Sequence, residues 1–155
     1  MGLRDKNFKS EATNFRNWNL TKERIQFAGP RARTVRALSP DAAAAYPPDH
    51  FDWVYIDALH TYDALLRDLD AWWEKVRPGG LLAGDDYGDV SDTEYVSDQR
   101  YVAKFGTLHR WSENKWGVIS AVRDFARRKG VPVHVTWLLD CYTHPAWWVV
   151  RPFQL

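Results

Sequence analysis

The chain has 155 residues, of which 45% are apolar and 26% charged, a size and composition that suit one folded domain with its own core. A formal net charge of +1 provides no bulk attraction to nucleic acid or to a membrane surface, so we expect neither as a partner. The single cysteine, Cys141, excludes an internal disulfide and fits a reducing compartment, so we expect a cytoplasmic protein. No apolar run approaches the ~20 residues of a membrane span, and the polar start predicts no secretory signal.

The first third of the chain predicts a polar arm followed by short elements. Residues 1–18 show no clear apolar period and predict an irregular arm, whereas residues 19–155 predict a single partial α/β domain. Asn19 or Thr21 can cap one helix, and Ser39 can cap another. The predicted elements are a helix through Phe27, a strand over residues 33–38, and a helix from Ser39 that Pro47 and Pro48 end.

The rest of the chain alternates strands with helices. Residues 53–58 form a nearly continuous apolar run and predict a strand that is covered on both faces. This alternation predicts a mostly parallel sheet with right-handed crossovers, and the absence of a helix between the last two strands predicts an antiparallel final strand. The remaining predicted elements are a helix over 62–76, a turn at 78–80, strands over 81–84, 131–139 and 147–151, a long polar loop over 87–115, and a helix over 116–129 that Gly130 ends.

Acidic side chains stand where two predicted strands end. Asp57 ends the first, His60 lies three residues further on, and Asp85 and Asp86 follow the next strand. Because the carboxyl ends of parallel strands meet at one edge of a sheet, we expect these four side chains to lie close together. Three carboxylates suit a hard divalent cation, Mg²⁺ above all. Alternatively, Asp57 caps the following helix and the acid pair forms a solvated turn.

His60 is a candidate for proton transfer, because histidine is the side chain best suited to accept and release a proton near neutral pH. It could act as a general base toward a hydroxyl group, or it could be a fourth metal ligand. The alternative is that it merely precedes a helix start at Thr61.

Three phrases of the sequence carry a resemblance: FDWVYIDALHTY at residues 51–62, DLDAWW at 68–73 and RPGGLLAGDDY at 77–87. From Arg31 onward the chain resembles the second half of a class I, Rossmann-like, S-adenosylmethionine-dependent methyltransferase. It is most similar to the macrolide-sugar and cephalosporin-type O-methyltransferases. The resemblance implies a truncated Rossmann-like sheet, an S-adenosylmethionine cofactor, and O-methylation of a small hydroxylated acceptor.

The family's metal site maps onto three residues of this chain. Catechol-type O-methyltransferases, which the chain also resembles, hold Mg²⁺ with an acid after the fourth strand and an acid pair after the fifth. That resemblance implies Asp57, Asp85 and Asp86 as metal ligands. We assign catalytic roles to Asp57 and, from its position three residues further on, to His60. The metal would bind the acceptor hydroxyl and orient its oxygen.

The resemblance also implies cofactor and acceptor contacts. It places Ser39, Asp57 and Ala58 beside the cofactor, although Ser39 can equally cap its helix. Tyr87 and, in the long loop, Trp111 would contact the acceptor. Alternatively, Tyr87 packs beneath that loop and Trp111 belongs to a small satellite core.

One part of the family pattern does not occur in these residues. No Gly-x-Gly is found, and the glycine-rich strand–helix–strand unit needs roughly 30 residues, more than precede Asn19. We therefore expect a fragment, a shortened protein, or a homo-oligomer or partner chain that completes the sheet. Two alternative functions stay open, a non-catalytic methyltransferase-like relic that acts as an interaction subunit and a metal-dependent hydrolase that uses the same acids.

Overall fold

The computed structural model describes residues 11–90, 95–96, 116–136 and 145–153. The chain divides into two compact units, residues 1–37 and residues 38–155. The first unit contains α1 (Glu11–Arg24) and a 3₁₀ helix (Gln26–Arg31). The second contains α2 (Ser39–Ala44), β1 (Phe51–Ile56), α3 (Tyr62–Trp73), β2 (Val76–Gly84), β3 (Asp89–Val90), β4 (Tyr95–Val96), α4 (Val118–Lys129), β5 (His134–Val135) and β6 (Trp147–Val150). No helix among the described residues is long and apolar enough to cross a membrane.

The first unit differs from the prediction. Helix α1 begins at Glu11, within the segment predicted to be irregular, and the predicted cap Thr21 lies inside it, where its hydroxyl donates to the carbonyl of Asn17 at 2.9 Å. The predicted strand over residues 33–38 is wrong, because these residues pair with no described strand. A strand depends on a hydrogen-bonded neighbour, which a local pattern does not reveal. The predicted boundary between an arm and a domain stays a prediction.

The main sheet has the order β1-β2-β6-β5. β1 and β2 are parallel, and β6 is antiparallel to both of its neighbours, so β6 alone opposes the direction of the other three strands. This arrangement confirms a mostly parallel α/β sheet with an antiparallel last strand. The predicted turn at residues 78–80 is instead part of β2, where Gly79 adopts a positive φ of 77° and the register against β1 shifts.

Helices α3 and α4 cover one face of the sheet and enclose the core. Their inward side chains recur at helical spacing, and they meet the apolar residues of β1, β2 and β6. Helix α4 ends at Gly130, whose left-handed conformation confirms the predicted C-cap. The largest fully buried side chains of this core are Leu69, Val76, Leu82, Val118, Ile119, Val122, Phe125, Trp147 and Val149.

The opposite face of the sheet is apolar but exposed. Trp53 and Tyr55 of β1 are 58% and 45% exposed, and across the register Leu81 lies beside Trp53 and Val150 lies beside Leu81. The expectation that both faces of this strand are covered is therefore wrong for the structure as described. Apolar residues at successive positions identify a strand that can be covered on both faces, but they do not supply the second cover.

A buried arginine directly after β6 forms hydrogen bonds with the end of α3 and the start of β2. Arg151 is 7% exposed, and its guanidinium donates to the backbone carbonyls of Trp73, Glu74 and Val76. It also pairs with Asp49 Oδ1 at 2.7 Å and Glu74 Oε2 at 3.0 Å. The cation thus satisfies carbonyl groups that the end of α3 leaves without partners inside the helix.

Ser39 joins α2 to α3 through its side chain. It does not cap α2, because Leu38 occupies the N-cap position and makes no side-chain cap bond. Instead, the Ser39 hydroxyl accepts a hydrogen bond from Trp72 Nε1 at 2.9 Å and bonds the carboxylate of Asp68. Asp68 is 4% exposed, and burial raises its pKa against the opposing effects of the Ser39 hydrogen bond and Arg67.

Asp68→Asn is expected to make the protein more stable at neutral pH. Because the folded pKa of Asp68 is raised, its favourable contribution is complete below the unfolded value of about 4 and is lost as pH rises through the folded value. The asparagine keeps a partner for Ser39 and buries no charge. As pH rises from 4 to 7, the free energy of unfolding of the variant should therefore fall less than that of the wild type. Urea unfolding between pH 4 and 7 measures this.

Asp70→Asn is the matched control for that comparison, since Asp70 lies on the same helix but is exposed and pairs with Arg128. A wild-type stability curve that rises across the same pH interval relative to that of Asp68→Asn would contradict the prediction.

Candidate functional site

The carboxyl ends of β1 and β2 lie side by side, as predicted. Ile56 pairs with Gly84, and the amide of Asp85 donates to the carbonyl of Ile56 at 3.3 Å. Gly84 permits this approach, because a Cβ atom there would lie 2.5 Å from the Trp147 ring and 2.6 Å from the Ile56 carbonyl oxygen. The segments that follow the two strands, which carry Asp57 and Asp86, therefore begin next to each other.

His60 stands between carboxylates from both segments. Its Nδ1 lies 3.5 Å from Asp86 Oδ2, and its Nε2 lies 3.5 Å from Asp57 Oδ1. The contact with Asp57 is too poor in geometry for a hydrogen bond, so Nε2 has no hydrogen-bond partner among the described residues. The imidazole is 19% exposed and the Asp57 carboxylate 62% exposed, so the cluster faces solvent on the Asp57 side, although the Nε2 atom itself is buried.

The side chain of Trp116 packs against the face of the His60 ring. The two rings stack with centroids 5.0 Å apart and an interplanar angle of 23°. The indole Nε1 donates to the backbone carbonyl of Asp86 at 3.2 Å, and the amide of Gly117 donates to the carbonyl of His60 at 2.9 Å. Asp86 itself has a left-handed backbone with φ of 55°, a conformation that is rare outside glycine and often found at functional sites.

Tyr55 extends the cluster along β1. Partial burial and the nearby carboxylates of Asp85, Asp57 and Asp86 raise its pKa, and its hydroxyl bonds Asp85. The phenol therefore stays protonated and acts as a hydrogen-bond donor at this edge of the sheet.

The sequence prediction of a metal site has no geometric counterpart in the described residues. Asp57, Asp85 and Asp86 share one edge, yet within the part of the chain that the structure describes, no group of three or more His, Cys, Asp or Glu side chains could hold a metal ion. The carboxylates flank His60 and Tyr55 instead of converging on a common centre.

The other predicted site residues fall in different places. Ala58 is exposed beside Asp57. Ser39 bonds Trp72 in the last turn of α3, whereas His60 precedes the first turn, so the length of that helix, about 16 Å, separates them. Tyr87 is buried in the core, where burial raises its pKa despite a hydrogen bond to Arg123. Trp111 lies outside the described residues.

Two residues near the site were missed by the sequence analysis. Trp116 was assigned only to a helix start. Asp89 is fully buried and accepts from the amide and the hydroxyl of Ser120 at 3.2 and 2.6 Å, so it caps the amino end of α4 from outside the helix. Neither role leaves a local signal, because each partner lies about 30 residues or more away along the chain.

Solved structures resemble this fold. A Corynebacterium glutamicum protein from a structural genomics programme gives a TM-score of 0.59 at 15% identity, over 94% of this chain and 59% of that one. The apo form of the S-adenosylmethionine-dependent methyltransferase SibL gives 0.55 at 21% identity, over 88% of this chain and 41% of that one. The chain thus spans 59% and 41% of these two structures. The fold is a truncated Rossmann-like methyltransferase fold.

Sequence comparison identifies the family. The sequence model of a family described as "Methyltransferase domain" matches residues 4–87, more than half of the chain. The chain therefore belongs to this methyltransferase-domain family. No curated protein matches the sequence significantly.

Proposed function

We propose that this chain is the acceptor-side part of an S-adenosylmethionine-dependent O-methyltransferase in which His60 is the general base. The observation that supports the proposal is the placement of the imidazole at the carboxyl ends of β1 and β2, with Nδ1 toward Asp86 and Nε2 without a hydrogen-bond partner. Ligands of open α/β sheets bind at this edge. Family membership supplies the reaction class.

The arrangement suits removal of a proton from a hydroxyl group. His60 Nε2, which is buried in this structure, would take the proton of an acceptor hydroxyl once movement of Asp57 exposes it, and the Asp86 carboxylate near Nδ1 would stabilise the imidazolium that forms. Asp57, on the exposed side, would orient the acceptor through a hydrogen bond. Tyr55 would hold Asp85 in place through its phenolic hydrogen.

The residues present fit one side of the cofactor. Asp57 and Ala58 are exposed directly after β1, where they would line the donor. No glycine-rich loop occurs in the 155 residues to hold the other side. When bound, the donor would supply an electrophilic methyl group. The SibL name describes a donor-dependent methyltransferase, which supports the same donor here.

We propose separately that a divalent metal ion assists the reaction. Asp57, Asp85 and Asp86 would have to rotate toward a shared ion, because they flank His60 and Tyr55 in this structure. Titration of the purified chain with Mg²⁺ alone, in parallel with Asp85→Asn, tests it. Heat of binding that the variant abolishes would support a metal site.

Calorimetric titration of the full chain with S-adenosylhomocysteine tests the cofactor proposal. We expect micromolar binding that Asp57→Ala weakens about tenfold or more, since loss of a hydrogen bond to a charged group costs about 1.5–3 kcal/mol. Asp52→Ala is the matched control, because Asp52 lies at the other end of β1 and pairs with Arg77. Absence of binding by folded protein would contradict the proposal and favour a non-catalytic interaction subunit.

A second prediction is that this chain associates with another copy of itself or with a partner chain. β1 is an edge strand of the described sheet, and Trp53 and Tyr55 expose an apolar face next to that edge. Such edges pair readily with another chain. We propose that a second copy or a partner chain completes the sheet, and light scattering of the purified protein measures its mass in solution.

A further inference from the structure

Trp116 connects the segments that follow β1 and β2. Its ring stacks on His60, which follows β1, and its Nε1 donates to the carbonyl of Asp86, which follows β2. A short antiparallel bridge pairs Thr61 with Trp116, and the Gly117 amide bonds the His60 carbonyl. One residue, distant in sequence from both, thus contacts the side chain of one candidate catalytic group and the backbone of the other.

We propose that Trp116 is a positioning residue that sets the imidazole orientation and tautomer of His60. The proposal rests on the proposed function, in which His60 is the base. Stacking fixes the ring plane, and the indole hydrogen bond fixes the Asp86 backbone so that its carboxylate faces Nδ1. A proton on Nδ1 then leaves Nε2 as the acceptor.

The strained backbone of Asp86 gives this contact a specific task. A left-handed aspartate, with φ of 55°, is strained and persists only where its surroundings hold it. The indole hydrogen bond is made to the carbonyl of that same residue. Removal of the indole releases both the ring plane of His60 and the carboxylate that faces it.

The experiment uses the ring signals of His60 in ¹H–¹³C and ¹⁵N spectra of the full chain. In Trp116→Leu, the His60 carbon-bound protons should lose the shift that the indole ring current imposes. The ¹⁵N shifts should change from a dominant Nδ1–H tautomer to a mixture. Trp116→Phe should keep much of the ring-current shift, because it retains an aromatic face, but should lose the tautomer preference with the indole donor.

A second histidine provides the matched control. His134 stacks on Trp148 at 5.2 Å and 15°, on β5, three strands from β1 across the sheet. Trp148→Leu should move the His134 signals and leave those of His60 unchanged. The inference is overturned if Trp116→Leu, with an otherwise native spectrum, leaves the His60 tautomer as in the wild type.

Activity separates this inference from the proposed function. With a methylated acceptor in hand, Trp116→Leu should lower kcat about 100-fold, the cost typical of a misplaced catalytic group, with KM changed less. If His60→Gln leaves methyl transfer intact while Trp116→Leu still changes the His60 tautomer, the positioning role stands and the base assignment fails.

Discussion

Replacement of His60 by glutamine is expected to lower kcat for methyl transfer about 10²- to 10⁴-fold, the usual contribution of a positioned general base. Glutamine keeps a polar side chain of similar length but cannot take up a proton at neutral pH. Affinity for S-adenosylhomocysteine should stay within about twofold, since the imidazole interacts with the acceptor in the proposed mechanism. Formation of S-adenosylhomocysteine in a screen of hydroxylated acceptors measures the rate.

His134→Gln is the control for that experiment, because His134 also stacks on a tryptophan but lies in β5, which β6 separates from β2 and β1 in the sheet. It should leave the rate unchanged. A His60→Gln enzyme with kcat within threefold of the wild type would remove His60 from the mechanism and favour a metal-bound or unassisted hydroxyl.

Arg151→Met is expected to be the most destabilising single substitution that we describe, at about 1–3 kcal/mol, because it leaves buried backbone carbonyls without a donor. Methionine fills a similar volume, but it leaves the carbonyls at the end of α3 without their cationic donor and removes a cationic partner from Asp49 and Glu74. Buried polar groups that lose a hydrogen bond cost more than the bond contributes when formed. Chemical denaturation measures the change in the free energy of unfolding.

Arg77→Met isolates the effect of burial. Arg77 also pairs with an aspartate, Asp52, but both side chains are largely exposed, so its loss should cost below about 1 kcal/mol. Arg151→Lys should fall between the two, because an ammonium group keeps the charge but cannot make the same set of bonds. Equal stability of Arg151→Met and Arg77→Met would show that the buried network contributes little.

Local patterns predicted the elements that place the candidate site. Signals within a few residues marked the acidic ends of β1 and β2, the amphipathic α3 and the glycine that ends α4. The rule that parallel strand ends share an edge predicted that Asp57 and Asp86 lie near each other. Non-local features escaped prediction. The strand expected at 33–38 needed a neighbour, and Ser39 found its partner on another helix rather than in its own first turn.

Trp116 illustrates the same limit at the site. The sequence contains nine tryptophans, and nothing adjacent to this one distinguishes it from those that fill the core. Its role follows from a bridge to Thr61 and a hydrogen bond to Asp86, both of which depend on how α4 docks against the sheet. Residues whose function is to connect distant segments can be recognised only after those segments have been placed.

The position of β6 between β2 and β5 determines when this domain can fold during synthesis. β6 is the last described strand along the chain, and it pairs with both β2 and β5. One edge of β2 therefore stays unpaired until Val150 has left the ribosome. The nascent chain therefore exposes the edge of β2 from the synthesis of Gly84 until that of Val150. Contacts over such long sequence separations slow folding and leave an incomplete chain prone to aggregation until the last strand has paired.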